Sequence, residues 1–142
     1  MRSATPKVMH PVGGRPMLGH VLDAARSAGV TATAVVVGTG AEAVAGFVVG
    51  ANPGATVHEQ TERLGTAHAV LAARKALAAK PDEVLVLYGD TPLITPATLK
   101  KMRRALAKND VVVLGFRPDD PARYGRLIVE GKQLKAIREY ND

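Results

Sequence analysis

The chain has 142 residues, 46% hydrophobic and 23% charged, the balance of one globular domain with a sizeable core. It contains no cysteine, which excludes disulfides, thiolate nucleophiles and cysteine-held zinc. The formal net charge of +6 favours anionic partners, yet aromatics are only 4% without tryptophan, so stacking platforms for single-stranded nucleic acid are scarce. A small phosphorylated substrate explains the charge at least as well as nucleic acid, and neither nucleic acid nor a membrane is expected as a partner. The longest apolar runs fall far short of a span and the N-terminus lacks the core of a signal peptide, so a cytoplasmic location is expected.

In chain order, Pro16 to Ala28 carries Met17, Val21, Leu22 and Ala25 on one face, with Gly29 as a stop, and predicts an amphipathic helix. Thr31 to Val37 is a β-branched run ending at Gly38 and predicts a buried strand. Ala41 to Val49 reads as a short helix, and Ala55 to His58 as a short strand. The alanine-rich Thr66 to Ala79 predicts a helix. Glu83 to Tyr88 predicts a strand buried on both faces. Pro96 to Ala107 predicts a helix capped by Thr95, and Asp110 to Phe116 another buried strand. Arg126 to Val129 and Leu134 to Arg138 flank Glu130-Gly131-Lys132-Gln133 as a hairpin.

Strands alternating with helices imply βαβ units with right-handed crossovers, an α/β fold with a mostly parallel sheet. The chain opens on a loop with no strand before it. The reading is therefore of a sheet whose first strand is missing, with an unpaired edge.

Candidate chemistry begins at Asp90, the acid that follows Tyr88-Gly89 at the end of the expected central strand. Open α/β sheets bind ligands at the carboxyl ends of their strands. A lone carboxylate there suits Mg²⁺, which keeps most of its waters and takes one or two carboxylates plus substrate phosphates. The alternative is an aspartate that caps the turn into the next helix. Gly38-Thr39-Gly40 sits between a strand and a helix, but lacks the lysine of a phosphate loop and the full dinucleotide spacing, so it reads as a turn. Lys100, Lys101, Arg103 and Arg104 lie at helical spacing and read as a solvated face. His68 has no second histidine at ligand spacing and reads as a packed or hydrogen-bonded structural residue. His10, His20 and His58 have no supporting pattern.

Four segments together carry a resemblance. Thr5-Pro6-Lys7 through Gly13-Gly14-Arg15-Pro16-Met17-Leu18, Gln60-Thr61-Glu62-Arg63-Leu64-Gly65-Thr66-Ala67-His68-Ala69, Tyr88-Gly89-Asp90-Thr91-Pro92-Leu93 and Asp120-Pro121-Ala122-Arg123-Tyr124-Gly125-Arg126 occur in the order found in sugar-1-phosphate nucleotidyltransferases. In combination they resemble the uridyltransferase domain of the bacterial bifunctional N-acetylglucosamine-1-phosphate uridyltransferases/glucosamine-1-phosphate acetyltransferases, over nearly the whole chain. The resemblance implies a Rossmann-like three-layer nucleotidyltransferase fold. It implies transfer from UTP to N-acetylglucosamine-1-phosphate, giving UDP-N-acetylglucosamine and pyrophosphate, with Mg²⁺ as cofactor. Other sugar-1-phosphate nucleotidyltransferases share the fold, and a non-catalytic nucleotide-binding fragment is the rival outside enzymes.

The site residues follow from the matched segments. Lys7, fixed after a proline, is expected to be catalytic and to bind nucleotide phosphates as a compact charge, the alternative being a solvated surface lysine. Asp90 is expected to be catalytic and to hold the metal. Gln60, with an amide donor and a carbonyl acceptor, is expected to read uracil with Gly65 and Thr66, whose N–H groups open a helix. Tyr88, Gly89, Gly125 and Glu139 are expected to face the sugar. Family members open with a strand and a glycine-rich loop around the phosphates, and Met1 stands where the methionine of that loop would be. The 142 residues alone are therefore expected to bind UTP weakly and to show no turnover. The family's homotrimer contacts would lie chiefly in the acetyltransferase domain, beyond this chain.

Overall fold

The computed structural model describes residues 5–62, 64–131 and 133–138. The chain divides into two compact units, Met1–Lys101 and Met102–Asp142. In the first, Pro6 leads into one 3₁₀ turn, Lys7–Met9. Two short strands follow, β1 (Pro11–Val12) and β2 (Arg15–Pro16), paired antiparallel. Helix α1 (Met17–Ser27) buries Leu18, Val21, Leu22, Ala24 and Ala25, the single apolar stripe that its 3–4 residue spacing requires.

β3 (Ala34–Gly38) and β4 (Thr56–Gln60) pair in parallel, in register from Ala34↔Thr56 to Gly38↔Gln60. Parallel strands need a crossover, and α2 (Glu42–Ala51) supplies it. Leu18 and Leu22 of α1 meet Val44 and Val48 of α2 in one buried cluster. Against it pack Val35 and Val37 of β3, Val57 of β4, and Val8 and Met9 from the first turn. The N-terminal loop is thus anchored to the core by two side chains beside Lys7.

The alanine-rich segment forms two helices rather than one, α3 (Thr66–Ala72) and α4 (Arg74–Leu77). Ala73 between them has φ −89° and ψ 16°. The amides of Ala73 and Ala76 bond the carbonyls three residues back, at 3.1 and 2.9 Å, which tightens the chain into a 3₁₀ step. Ala73 is itself buried, and packing there overrides the weak prior of alanine propensity.

Helix α5 (Pro96–Leu106) begins as expected. The Thr98 amide donates to Thr95 Oγ1 at 3.2 Å, an N-cap bond with proline at the first helical position. Leu99 on this helix is fully buried. In the second unit, β5 (Arg126–Glu130) and β6 (Gln133–Arg138) form the expected hairpin, with a register shift between Ile128 and Val129. Gly131 takes a left-handed φ of 58° at its turn.

Two sequence expectations are corrected. Glu83 to Tyr88 and Asp110 to Phe116 form no strand ladder among the described residues, so the parallel sheet described is the β3–β4 pair. Nor is either segment buried on both faces. Val84, Val86 and Tyr88 are 53%, 50% and 60% exposed, while Leu85 and Leu87 between them are half-buried. An apolar run records that a chain can be covered on two sides. It does not record which neighbour covers it, and ladder bonds exist only where a partner strand lies alongside. The α/β class stands, the described residues forming one parallel βαβ unit and two antiparallel strand pairs, β1–β2 and β5–β6.

Replacing Thr95 by alanine removes the cap acceptor of α5. We expect a loss of about 1 kcal/mol in chemical denaturation, with Thr95→Asp retaining most of the stability. Equal midpoints for Thr95→Ala and the parent chain would remove the cap from the account.

Candidate functional site

The first unit brings together residues distant in sequence at the turn after Leu87. Thr91 closes that turn, its hydroxyl donating to the Tyr88 carbonyl at 2.7 Å. Gly89 is the constrained position. A Cβ built there would lie 3.2 Å from Val8 Cγ1 and 3.3 Å from Leu18 Cδ1, so glycine lets this turn approach the N-terminal loop and α1. Val8 belongs to the packed core, and its neighbour Lys7 therefore faces the residue after Gly89. Lys7 Nζ donates to Asp90 Oδ2 at 2.6 Å, with the two side chains 64% and 32% exposed. An ion pair this exposed is worth at most about 1 kcal/mol. Its consequence is placement: a compact cation and a carboxylate share one spot at the surface.

The donor set bears on the expected metal. Among the described residues no group of three His, Cys, Asp or Glu side chains could hold an ion. A lone Asp90 therefore makes no resident cage. One carboxylate does suit Mg²⁺ that arrives on phosphate oxygens and keeps its waters, and in that sense the residue fits the group.

A second cluster lies where β4 leads into α3. Gln60 ends β4, and its Nε2 lies 3.3 Å from the Gly65 carbonyl oxygen and 3.1 Å from His68 Nδ1. Gly65 has φ 93° and ψ −177°, a conformation open essentially to glycine alone. Its carbonyl also accepts the Ala69 amide at 3.1 Å, so the loop end is held by helix and side chain together. Thr66, the first residue of α3, places Oγ1 3.3 Å from the Tyr88 hydroxyl. That contact ties the Gln60 loop to the turn carrying Asp90. A cavity of about 520 Å³ opens beside Gln60 and His68, lined also by His58, Leu71, Arg74 and Lys75.

Lys7 and Asp90 are thus brought into contact, as are Gln60 and Gly65, and Thr66 and Tyr88. Gly89 has a packing role that sequence reading missed, since nothing local reports that Val8 lies across from it. His68 is hydrogen-bonded, as expected, but its partner was not foreseen. His20 donates to the Val12 carbonyl at 2.8 Å, and His58 pairs with Thr56 of its own strand at 2.9 Å. Gly40 takes φ 75° in the turn after β3, and Lys100, Lys101, Arg103 and Arg104 are exposed, both as expected.

In the second unit, Gly125 lines a cavity of about 460 Å³ with Leu114, Phe116, Tyr124 and Arg126. The rings of Phe116 and Tyr124 meet edge to face, centroids 4.9 Å apart at 85°. The Arg126 guanidinium donates to the carbonyls of Tyr124 and Ala122, and Asp120 Oδ1 accepts the Ala122 amide at 2.8 Å. The loop before Gly125 is therefore braced at both ends. Glu139 lies outside the described residues.

Gly89→Ala forces Val8 and Leu18 to give way. We expect about 1–3 kcal/mol of destabilisation by chemical denaturation, the usual cost of overpacking. Gly46→Ala, in the middle of α2 where an added Cβ meets nothing within 4 Å, should instead stabilise by roughly 0.5–1 kcal/mol. Two variants that behaved alike would sink the packing role given to Gly89.

Comparison with known proteins adds the family. The model of the MobA-like NTP transferase domain matches residues 1–140. The whole chain is 57% identical over 143 aligned positions to the bifunctional protein GlmU of Sinorhizobium medicae, covering 31% of that protein. It is 59% identical to the GlmU of Xanthobacter autotrophicus, covering 32%, and 56% identical to that of Azorhizobium caulinodans, again covering 32%. The chain thus spans about a third of the length of the relatives it matches. No helix among the described residues is long and apolar enough to cross a membrane.

Proposed function

Because the chain belongs to the MobA-like NTP transferase domain family, we propose that it carries the nucleotidyl-transfer site of a uridyltransferase, taking UTP and N-acetylglucosamine-1-phosphate to UDP-N-acetylglucosamine and pyrophosphate. The observation that carries the reading is the Lys7–Asp90 contact of 2.6 Å between segments 83 residues apart. A phosphoryl-type displacement needs little covalent help from protein. It needs alignment and neutralisation of charge that spreads over phosphate oxygens.

In the proposed reaction an oxygen of the sugar phosphate forms a bond to the α-phosphorus of UTP. The bond from that phosphorus to the bridging oxygen breaks, and the electron pair leaves with pyrophosphate. The attacking phosphate is already anionic, so no general base is required, and no covalent enzyme intermediate forms. Lys7 offers a compact ammonium to the phosphate oxygens. Asp90 would hold Mg²⁺, which when bound offsets the negative charge of the phosphates. Gln60, Gly65 and Thr66 would bind the uracil ring, Gln60 through its amide. Tyr88, Gly89, Gly125 and Glu139 are assigned to the sugar on the family resemblance. The identity of the relatives and the joining of Thr66 to Tyr88 at 3.3 Å support treating the two clusters of the first unit as one site.

Pyrophosphate release measured on the full-length protein tests the assignment. Asp90→Asn should lose most of the Mg²⁺-dependent rate, at least about a hundredfold for an electrostatic group acting on the transition state, while the fold survives. Near-normal turnover in that variant would overturn the role of Asp90. Gln60→Ala should weaken UTP use by roughly ten- to a hundredfold, since a polar partner left unpaired costs about 1–3 kcal/mol. An unchanged ranking of UTP against other triphosphates would take this loop out of base recognition.

A further inference from the structure

The Gln60 amide has an orientation that its neighbours dictate. The Gly65 carbonyl can only accept, so the atom of Gln60 facing it at 3.3 Å must be the nitrogen. The same nitrogen faces His68 Nδ1 at 3.1 Å. An amide nitrogen has hydrogens to give and no lone pair to offer, so Nδ1 must be bare and the ring proton must sit on Nε2. Both N–H groups of Gln60 are then spent inside the protein. The carbonyl oxygen Oε1 is left as the polar atom of this side chain that a ligand can meet.

We propose that His68 is a positioning residue for base selection: its bare Nδ1 holds the Gln60 amide with nitrogen inward and oxygen outward, so the site takes a base presenting a ring N–H. This rests on the reading of Gln60 as the base-contacting residue. Uracil carries a hydrogen on N3 between two carbonyls and can donate it to Oε1. Cytosine has a bare N3 at that place, and two acceptors would face each other. With only the Gly65 carbonyl left to hold it, the amide would turn over more readily, Gln60 could offer an N–H to cytosine, and the preference would fall. His68 does not touch the ligand in this account. It sits in the first turn of α3, half-buried beside the cavity of about 520 Å³, and works through the orientation of its neighbour.

The test compares Mg²⁺-UTP with Mg²⁺-CTP binding to the protein and three variants, alongside ¹⁵N spectra of the histidine rings. His68→Leu removes the acceptor, while His68→Asn returns one, because its side-chain carbonyl stands where Nδ1 stood. The expected result is a UTP-over-CTP preference that falls roughly tenfold in His68→Leu, in line with one lost hydrogen bond. His68→Asn should recover most of it, and the spectra should show His68 as the Nε2–H tautomer. A preference unchanged in His68→Leu but lost in Gln60→Ala would overturn the inference and leave the base-reading loop standing. No preference in the parent, with none lost in Gln60→Ala, would overturn both. A His68 ring carrying its proton on Nδ1 would also refute the proposal, since that hydrogen would point at the Gln60 amide hydrogens.

Discussion

The meeting of Lys7 and Asp90 at the candidate site depends on the missing side chain of Gly89. With no Cβ, the turn after Leu87 closes onto Val8 and Leu18, where a methyl group would sit 3.2 and 3.3 Å from their carbons. Val8 in turn packs on the cluster of Leu18, Leu22, Val44 and Val48. A loop that would otherwise be an unanchored N-terminal segment thereby acquires a fixed position, and its Lys7 meets Asp90. The exposed ion pair supplies little stability. Its geometry is a consequence of apolar packing beneath it, and that packing lets charges stand at the surface already oriented.

The second cluster is built on different physics. β4 ends at Gln60 because its parallel register with β3 ends there, at Gly38↔Gln60. The chain then turns through Gly65, whose φ of 93° only glycine accepts without strain, and enters α3 at Thr66. One carbonyl, that of Gly65, receives both the Gln60 side chain and the Ala69 amide. The loop is consequently held by polar bonds, while the Asp90 turn is held by packing. The Thr66–Tyr88 hydroxyl contact joins the two, so a shift of the helix start would reach the acidic turn through a single bond.

Local pattern made much of this readable. The stripe of α1, the crossover through α2, the Thr95 cap and the hairpin at Gly131 all follow from spacing, capping chemistry or turn residues confined to a few positions. The segments 83–88 and 110–116 were misread because an apolar run is equally consistent with a covered strand and with an extended segment lacking a ladder. Val84, Val86 and Tyr88 resemble core residues in sequence and lie half exposed or more. The break at Ala73 escaped for a similar reason, since nothing in an alanine-rich stretch marks one residue as differently packed. Lys7 and Asp90 were singled out by resemblance and by strand-end position, but their contact spans 83 residues and no local rule contains it. The tie between Gln60 and His68 likewise depends on how a strand end meets a helix start.

On the proposed reading, Lys7 and Asp90 act as one unit on phosphate-bound Mg²⁺, held in place by the packed glycine corner. A double-mutant cycle on Mg²⁺-UTP affinity, with Lys7→Met, Asp90→Asn and the two combined, tests it most directly. Residues in contact typically show coupling of about 0.5–3 kcal/mol. The account predicts a coupling in that range, the second substitution costing much less once the first has been made. Strictly additive losses, within about 0.5 kcal/mol, would contradict it and show that the two residues serve the ligand separately.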